Sequence, residues 1–182
     1  ISTTVLLDQG LLERFDLSDR PTFPTESVDY GPVIQWKTTL MRRSFKRFLS
    51  TGNQSIRTEY EQFKQSQETW LKSFSLFMAI KYSQGGGPWS DWPTVFRKRE
   101  DKALSKFQKE SAHEIEFQSF LQFVFNQQWA ALRKYAHQKR VRIIGDIPIF
   151  VAYDSADVWE HKELFYLDDE DLPKVVAGVP PD

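Results

Sequence analysis

Apolar residues recur at helical spacing through most of this chain, and near its C-terminal end they condense once into a dense β-branched run. Residues 1–35 hold a short helical stretch, then DLSDRPTFPTESVDYGP, where three prolines among Asp, Ser and Thr mark an irregular surface connector. From LMRRSFKRFLS (40–50) the period becomes helical, and Gly52-Asn53 offers a stop. Thr58 and Glu61 have capping-box spacing. After them Phe63, Trp70, Leu71, Phe74, Phe77 and Met78 predict two helices, or one broken helix, over 58–83. GGGPWSDWP (85–93) interrupts regular structure. The longest predicted helix covers Ser111 to Lys139, with Ile115, Phe120, Leu121, Val124, Phe125, Trp129, Leu132 and Tyr135 on a broad stripe wide enough to be covered by other helices.

Directly after that helix comes VRIIGDIPIFVA (141–152), whose composition suits a strand buried on both faces. A helix feeding straight into a buried strand is the mark of an α/β fold. Such a strand needs neighbours on both sides, and no other segment reads as one. The chain therefore looks incomplete.

Composition narrows the function classes. The 24 Lys and Arg against 25 Asp and Glu leave a net charge of -1, which argues against nucleic acid or an anionic membrane surface as partner. With no cysteine, disulfides and thiol chemistry are excluded, and the usage fits a reducing compartment. No apolar stretch approaches the roughly 20 residues that span a bilayer, and ISTTVLLDQG lacks the regions of a signal peptide, so the expectation is a soluble intracellular protein. Asn53-Gln54-Ser55 matches a glycosylation acceptor, a pattern too short to weigh without secretion.

Asp146 is the leading candidate site residue, because the carboxyl ends of strands face the ligand crevice in α/β folds. The local alternative is that it accepts hydrogen bonds from a turn ahead of Pro148. Asp154, with Ser155, is expected to cap a short helix through Val158 and Trp159. Nothing in the spacing of Asp154 and Asp146 requires them to act as a pair. The run Asp168 to Lys174 lacks the glycine and bidentate Glu of a calcium loop and reads as a solvated turn. His113, His137 and His161 stand singly, so no metal site is expected. Gly85 to Gly87 lack the motif of a phosphate loop and read as a flexible bend. Trp89 and Trp92 offer faces for sugar stacking, with core packing the favoured role.

Residues 142–182, with GDIPI, DSADVW, ELF and VVAGVPPD in order, resemble the characteristic segment of the 4-α-glucanotransferases, the amylomaltase or disproportionating-enzyme family. The resemblance extends upstream through VDYG, QWK, FMAIK, PWSDWP, RKRE and FNQQWAALRKYA, nearly the whole chain. It implies a fragment of a (β/α)8 TIM barrel, with residues 1–140 a helical insertion between barrel strands 2 and 3. Residues 141–152 become strand 3, and 153–182 the start of an insertion over the active-site cleft.

The resemblance also implies transfer of an α-1,4-glucan segment to the 4-hydroxyl of an acceptor by retaining double displacement, without cofactor or metal. The nucleophile and acid/base would lie on later strands, so this fragment alone is expected to be inactive. Asp146 matches the family's supporting strand-3 aspartate, and Asp182 the substrate-binding aspartate of GVPPD. Malto-oligosaccharides are the implied partners, and bacterial cytoplasm, then plastid stroma, the implied locations. Leu172 and Lys174 depart from the family's usual DEDGRP pattern. An amylase-like hydrolase and a non-catalytic helical glucan- or protein-binding module are the alternatives.

Overall fold

The computed structural model describes residues 1–50, 53–175 and 178. Among them are eight α-helices: α1 (Thr3–Asp8), α2 (Tyr30–Ser50), α3 (Gln54–Ser66), α4 (Glu68–Ser83), α5 (Thr94–Arg97), α6 (Asp101–Glu110), α7 (Ala112–Gln138) and α8 (Ala156–Glu160). Short 3₁₀ turns cover Arg14–Leu17, Trp89–Asp91 and Lys162–Leu164. The chain divides into two compact units. Ile1–Ser66 with Phe120–Arg142 form the first, and Gln67–Ser119 with the residues from Ile143 onward form the second, so α7 contributes to both.

Aromatic packing holds the first unit. Phe120 of α7 lies 5.3 Å from Phe45 and 5.0 Å from Phe48 of α2. Tyr60 of α3 packs edge-on against Phe48 at 5.2 Å and sits 5.3 Å from Phe123. These rings are almost fully buried, and each contributes roughly 1.5–3 kcal/mol of transfer free energy. Helix α2 begins ten residues earlier than the apolar period predicts, because Pro32 falls in its first turn, where the missing N–H has no intrahelical partner to lose. The segment before it is pinned by charge: Arg43 donates to the Asp16 carbonyl at 2.7 Å and pairs with Asp19 at 2.8 Å, while Arg47 lies 3.3 Å from the Asp16 carboxylate.

The break between α3 and α4 falls at Gln67, so the 58–83 region is two helices. Thr58 is not the cap that its spacing suggests. It lies inside α3 and its hydroxyl donates back to the Gln54 carbonyl at 2.9 Å. Asn53 caps instead, its side-chain oxygen accepting from the Ile56 N–H at 3.3 Å. Helix α4 stops because Gly85 and Gly86 adopt φ of 73° and 83°, letting the Gly86 N–H reach the Lys81 carbonyl at 2.8 Å. The glycine cluster is thus an ordered helix stop.

The strand expected at 141–152 is not formed. The described residues contain no strand, only one isolated antiparallel bridge between Leu167 and Pro173, so the chain as it stands is helical where α/β was expected. The physical reason is that a strand exists only through a ladder, and no segment among the described residues runs beside this one. Asp182 lies outside the described residues.

The two candidate caps of α3 separate in a stability measurement. Asn53→Ala is expected to lower the unfolding free energy by about 1 kcal/mol, while Thr58→Ala stays within about 0.5 kcal/mol of the parent. Urea unfolding followed by far-UV circular dichroism reads both.

Candidate functional site

The candidate site begins with the apolar run around Asp146. Ile144, Ile147 and Ile149 are 91%, 85% and 84% exposed, and Val141, Phe150 and Val151 are about half exposed. Asp146 is itself exposed, and no hydrogen bond or ion pair to its carboxylate is found among the described residues, including any from a turn ahead of Pro148.

Downstream, within the second unit, the chain is held tightly. The Trp89 indole donates to the Tyr153 carbonyl at 2.7 Å, and the Tyr153 hydroxyl donates to the Asp171 carbonyl at 2.6 Å. Asp154 pairs with Lys81 of α4 and accepts from the Trp89 backbone N–H at 3.3 Å. It is therefore a cross-link, and the cap of α8 is Ser155, whose hydroxyl oxygen accepts from the Val158 N–H at 3.3 Å. One residue of register separates the two roles: Ser155 has the extended φ of -138° that a cap needs, which leaves Asp154 free to reach α4.

Trp159 anchors the far end. It is fully buried, 5.7 Å from Phe77 and 5.8 Å from Trp92, and its indole donates to the Phe96 carbonyl at 2.9 Å. Trp89 and Trp92 are core residues at 0% and 4% exposure, so neither presents a face to a sugar. The guanidinium of Arg99 lies 4.1 Å from the Trp159 ring centroid, and burial lowers its pKa against the opposing charge of Glu160 at 3.5 Å.

The acidic run is a turn, but not a wholly solvated one. Asp168 accepts from the N–H groups of Glu170 and Leu172 at 2.9 and 2.8 Å. Asp171 turns inward, 6% exposed, with Lys98 at 2.9 Å, Lys162 at 3.1 Å and Arg97 at 3.9 Å. Burial alone pushes its carboxyl pKa up, but hydrogen bonds and charge from Lys98 and Lys162 win and hold it below its ordinary value. Burial pulls the Lys162 ammonium below its usual range, against Asp171. Sequence reading missed Lys81, Lys98, Lys162 and Asp171 because each partner lies on a different element, as far as 73 residues away. No group of three His, Cys, Asp or Glu side chains is placed to hold a metal among the described residues.

The geometry thus joins an open apolar run to a rigid downstream anchor, both within segments that carry the GDIPI and DSADVW motifs. A family model for 4-alpha-glucanotransferase matches residues 1–182. The chain belongs to the 4-alpha-glucanotransferase family. It is similar to the 4-alpha-glucanotransferase of Thermus thermophilus, 46% identical over 162 residues that cover 89% of this chain and 32% of that protein. The Synechocystis enzyme is 38% identical over 183 residues, covering 100% and 36%. The chloroplastic/amyloplastic enzyme of Solanum tuberosum is 35% identical over 184 residues, covering 100% and 31%. An amylomaltase from Streptococcus agalactiae, solved in complex with acarbose, superposes with a TM-score of 0.91 at 32% identity, covering 100% of this chain and 37% of that one. The chain therefore spans about a third of the length of the 4-alpha-glucanotransferases it matches. Their family is one of (β/α)8 barrels.

The Asp171 cluster carries a pH signature. Because the folded pKa lies below the ordinary 3.8, its stabilisation is fully present above that value and is lost as pH falls through the lower folded value. Asp171→Asn is expected to cost roughly 2 kcal/mol at neutral pH, and that difference should vanish in more acid solution. Unfolding curves of both proteins across pH 7 to 2, about the range of carboxylate titration, test this.

Proposed function

We propose that the polypeptide carrying this segment is an active 4-alpha-glucanotransferase, and that residues 141–152 are the third strand of its (β/α)8 barrel. Residues 1–140 then form the helical region between strands 2 and 3, and 153–182 open an insertion over the active-site cleft. The observation that carries this reading is the run from Val141 to Val151, which leaves seven large apolar side chains exposed and its backbone without a ladder. Flanking parallel strands would bury those side chains and pair those peptide groups at once. The family match across residues 1–182 supports the same assignment.

In that frame Asp146 sits at the carboxyl end of a barrel strand, the position from which catalytic side chains reach the cleft. It acts as a supporting residue, accepting hydrogen bonds from groups at the barrel mouth and fixing their positions. The reaction is a double displacement. A carboxylate elsewhere in the polypeptide attacks C1 of a glucosyl unit as an acid protonates the departing 4-oxygen. The 4-hydroxyl of an acceptor glucan then attacks C1, giving its proton to the same acid/base and releasing the carboxylate. Asp182 contributes to glucan binding, and ordering of the acceptor there favours transfer over hydrolysis. The acarbose complex of the Streptococcus agalactiae relative supports an α-glucan substrate.

No helix of the described residues is long and apolar enough to cross a membrane. The bacterial relatives support a cytoplasmic location, and the plant relatives named chloroplastic support a plastid stroma as the second choice.

The full-length protein incubated with maltotriose is expected to yield glucose and longer oligosaccharides. Shortening to maltose and glucose without elongation would mean hydrolysis and overturn the transferase reading. Asp146→Asn in that protein is expected to lower kcat about 100-fold with the fold retained, and the 182-residue chain alone to show no turnover.

A further inference from the structure

The balanced total charge conceals a local imbalance. From Phe117 to Gly145 the chain holds five of its 24 Lys and Arg, namely Arg133, Lys134, Lys139, Arg140 and Arg142, and none of its 25 Asp and Glu. All five are exposed, as is His137, and no carboxylate pairs with any of the five among the described residues. The end of α7 accounts for part of this, because cations favour the negative C-terminus of a helix, but the macrodipole there amounts to about half an elementary charge. Five cations exceed it severalfold, and the surplus attracts anions. Arg133, Lys134 and His137, spaced three and four apart, share one face of α7 with Ala130 and Gln138, and the five residues line a concavity of about 600 Å³. All of them belong to the first unit.

We infer that this face of α7 binds a phosphate ester of a sugar, with Arg133, Lys134 and His137 on the phosphate and Gln138 on the sugar hydroxyls. The sugar half of the inference rests on the glucan reading above, and the phosphate half on charge and geometry alone. Three features select this ligand. Arg presents a planar fork that matches two phosphate oxygens at once, and Lys beside it adds a mobile point charge, so the pair suits a compact dianion. The concave face from Ala130 to Gln138 is only about 12 Å long, which fits one phosphate group and not the extended backbone of a nucleic acid, and no aromatic ring lines it on which bases could stack. Finally, Phe125 and Leu132 project from the other side of α7, so the cationic face has no large apolar side chain to enter a lipid surface.

The test titrates the full-length protein, at fixed ionic strength, with a maltodextrin phosphorylated on its 6-hydroxyls and with the same maltodextrin after phosphatase. The phosphorylated form is expected to bind at least about tenfold more tightly, and the double substitution Arg133→Gln with Lys134→Gln to abolish that difference while leaving maltotriose turnover unchanged. In the unmodified protein the phosphorylated form is also expected to protect Lys134, but not the exposed Lys106 of α6, from acetylation read by mass spectrometry. That readout decides the matter if the double variant misfolds. Equal affinity for the two maltodextrins, a difference that survives the double substitution, or an unprotected Lys134 overturns the inference. So does tighter binding of a single-stranded oligonucleotide than of the phosphorylated maltodextrin, since nucleic acid is then the ligand. Glucose 6-phosphate separates the sources of the ester: affinity equal to that of the phosphorylated maltodextrin assigns the site to a free sugar phosphate, weaker affinity to a phosphorylated glucan, and both uphold it. Maltotriose disproportionation on the same samples keeps the two proposals apart. An active transferase indifferent to phosphate sinks the site alone, and a phosphate-selective protein without transfer activity sinks the reaction alone.

Discussion

The governing constraint is that a β-branched segment cannot satisfy its own backbone. Residues 141–151 expose apolar side chains and carry peptide groups without a ladder, yet the chain on each side of them is held within its own unit. Upstream, the left-handed Arg140 and the Val141 to Ala136 hydrogen bond close the end of α7. Downstream, Tyr153, Asp154 and Trp159 are locked by Trp89, Lys81 and the Phe96 carbonyl. What is left open in this segment is a surface of the kind that flanking strands cover.

The anchor achieves this with packing more than with charge. Three tryptophans and Phe77 exclude water from one cluster, and every indole N–H has a backbone carbonyl as partner: Trp89 on Tyr153, Trp92 on Gly87, Trp159 on Phe96. Burying a tryptophan without such a partner would forfeit much of the gain from its area. The exposed ion pairs at the edge, such as Lys72 with Glu68, add little by comparison.

Helix positions were largely legible in the sequence because the apolar period is a property of one element and its core face. The preference of Trp89 and Trp92 for the core was legible from residue type, because a large aromatic side chain is on average highly buried. Local cues that depend on register were less so. Thr58 and Asp154 both have the right chemistry for a cap, but the residues that cap are Asn53 and Ser155, because backbone conformation and not residue type decides which side chain meets the orphan N–H groups. The Asp171 cluster was invisible, since Lys98 and Lys162 meet it only through tertiary structure. Asp146 was legible as a candidate from its place at the end of an apolar run, and the role proposed for it rests on family resemblance alone. No local pattern names partners that the described residues do not include.

The turn at Asp171 joins backbone geometry to charge. Leu172 follows it outside the left-handed region, where a leucine would be strained. A positive φ of 67° falls on Asp171, and aspartate is among the few residues that tolerate it. That conformation goes with an inward carboxylate facing Lys98 and Lys162, while the Leu172 N–H turns to Asp168 at 2.8 Å. The residue that carries the left-handed backbone is thus the one held in place by two cations. Turn geometry and electrostatic anchoring here are one feature, so altering the charge at 171 loosens the turn as well as the ion cluster.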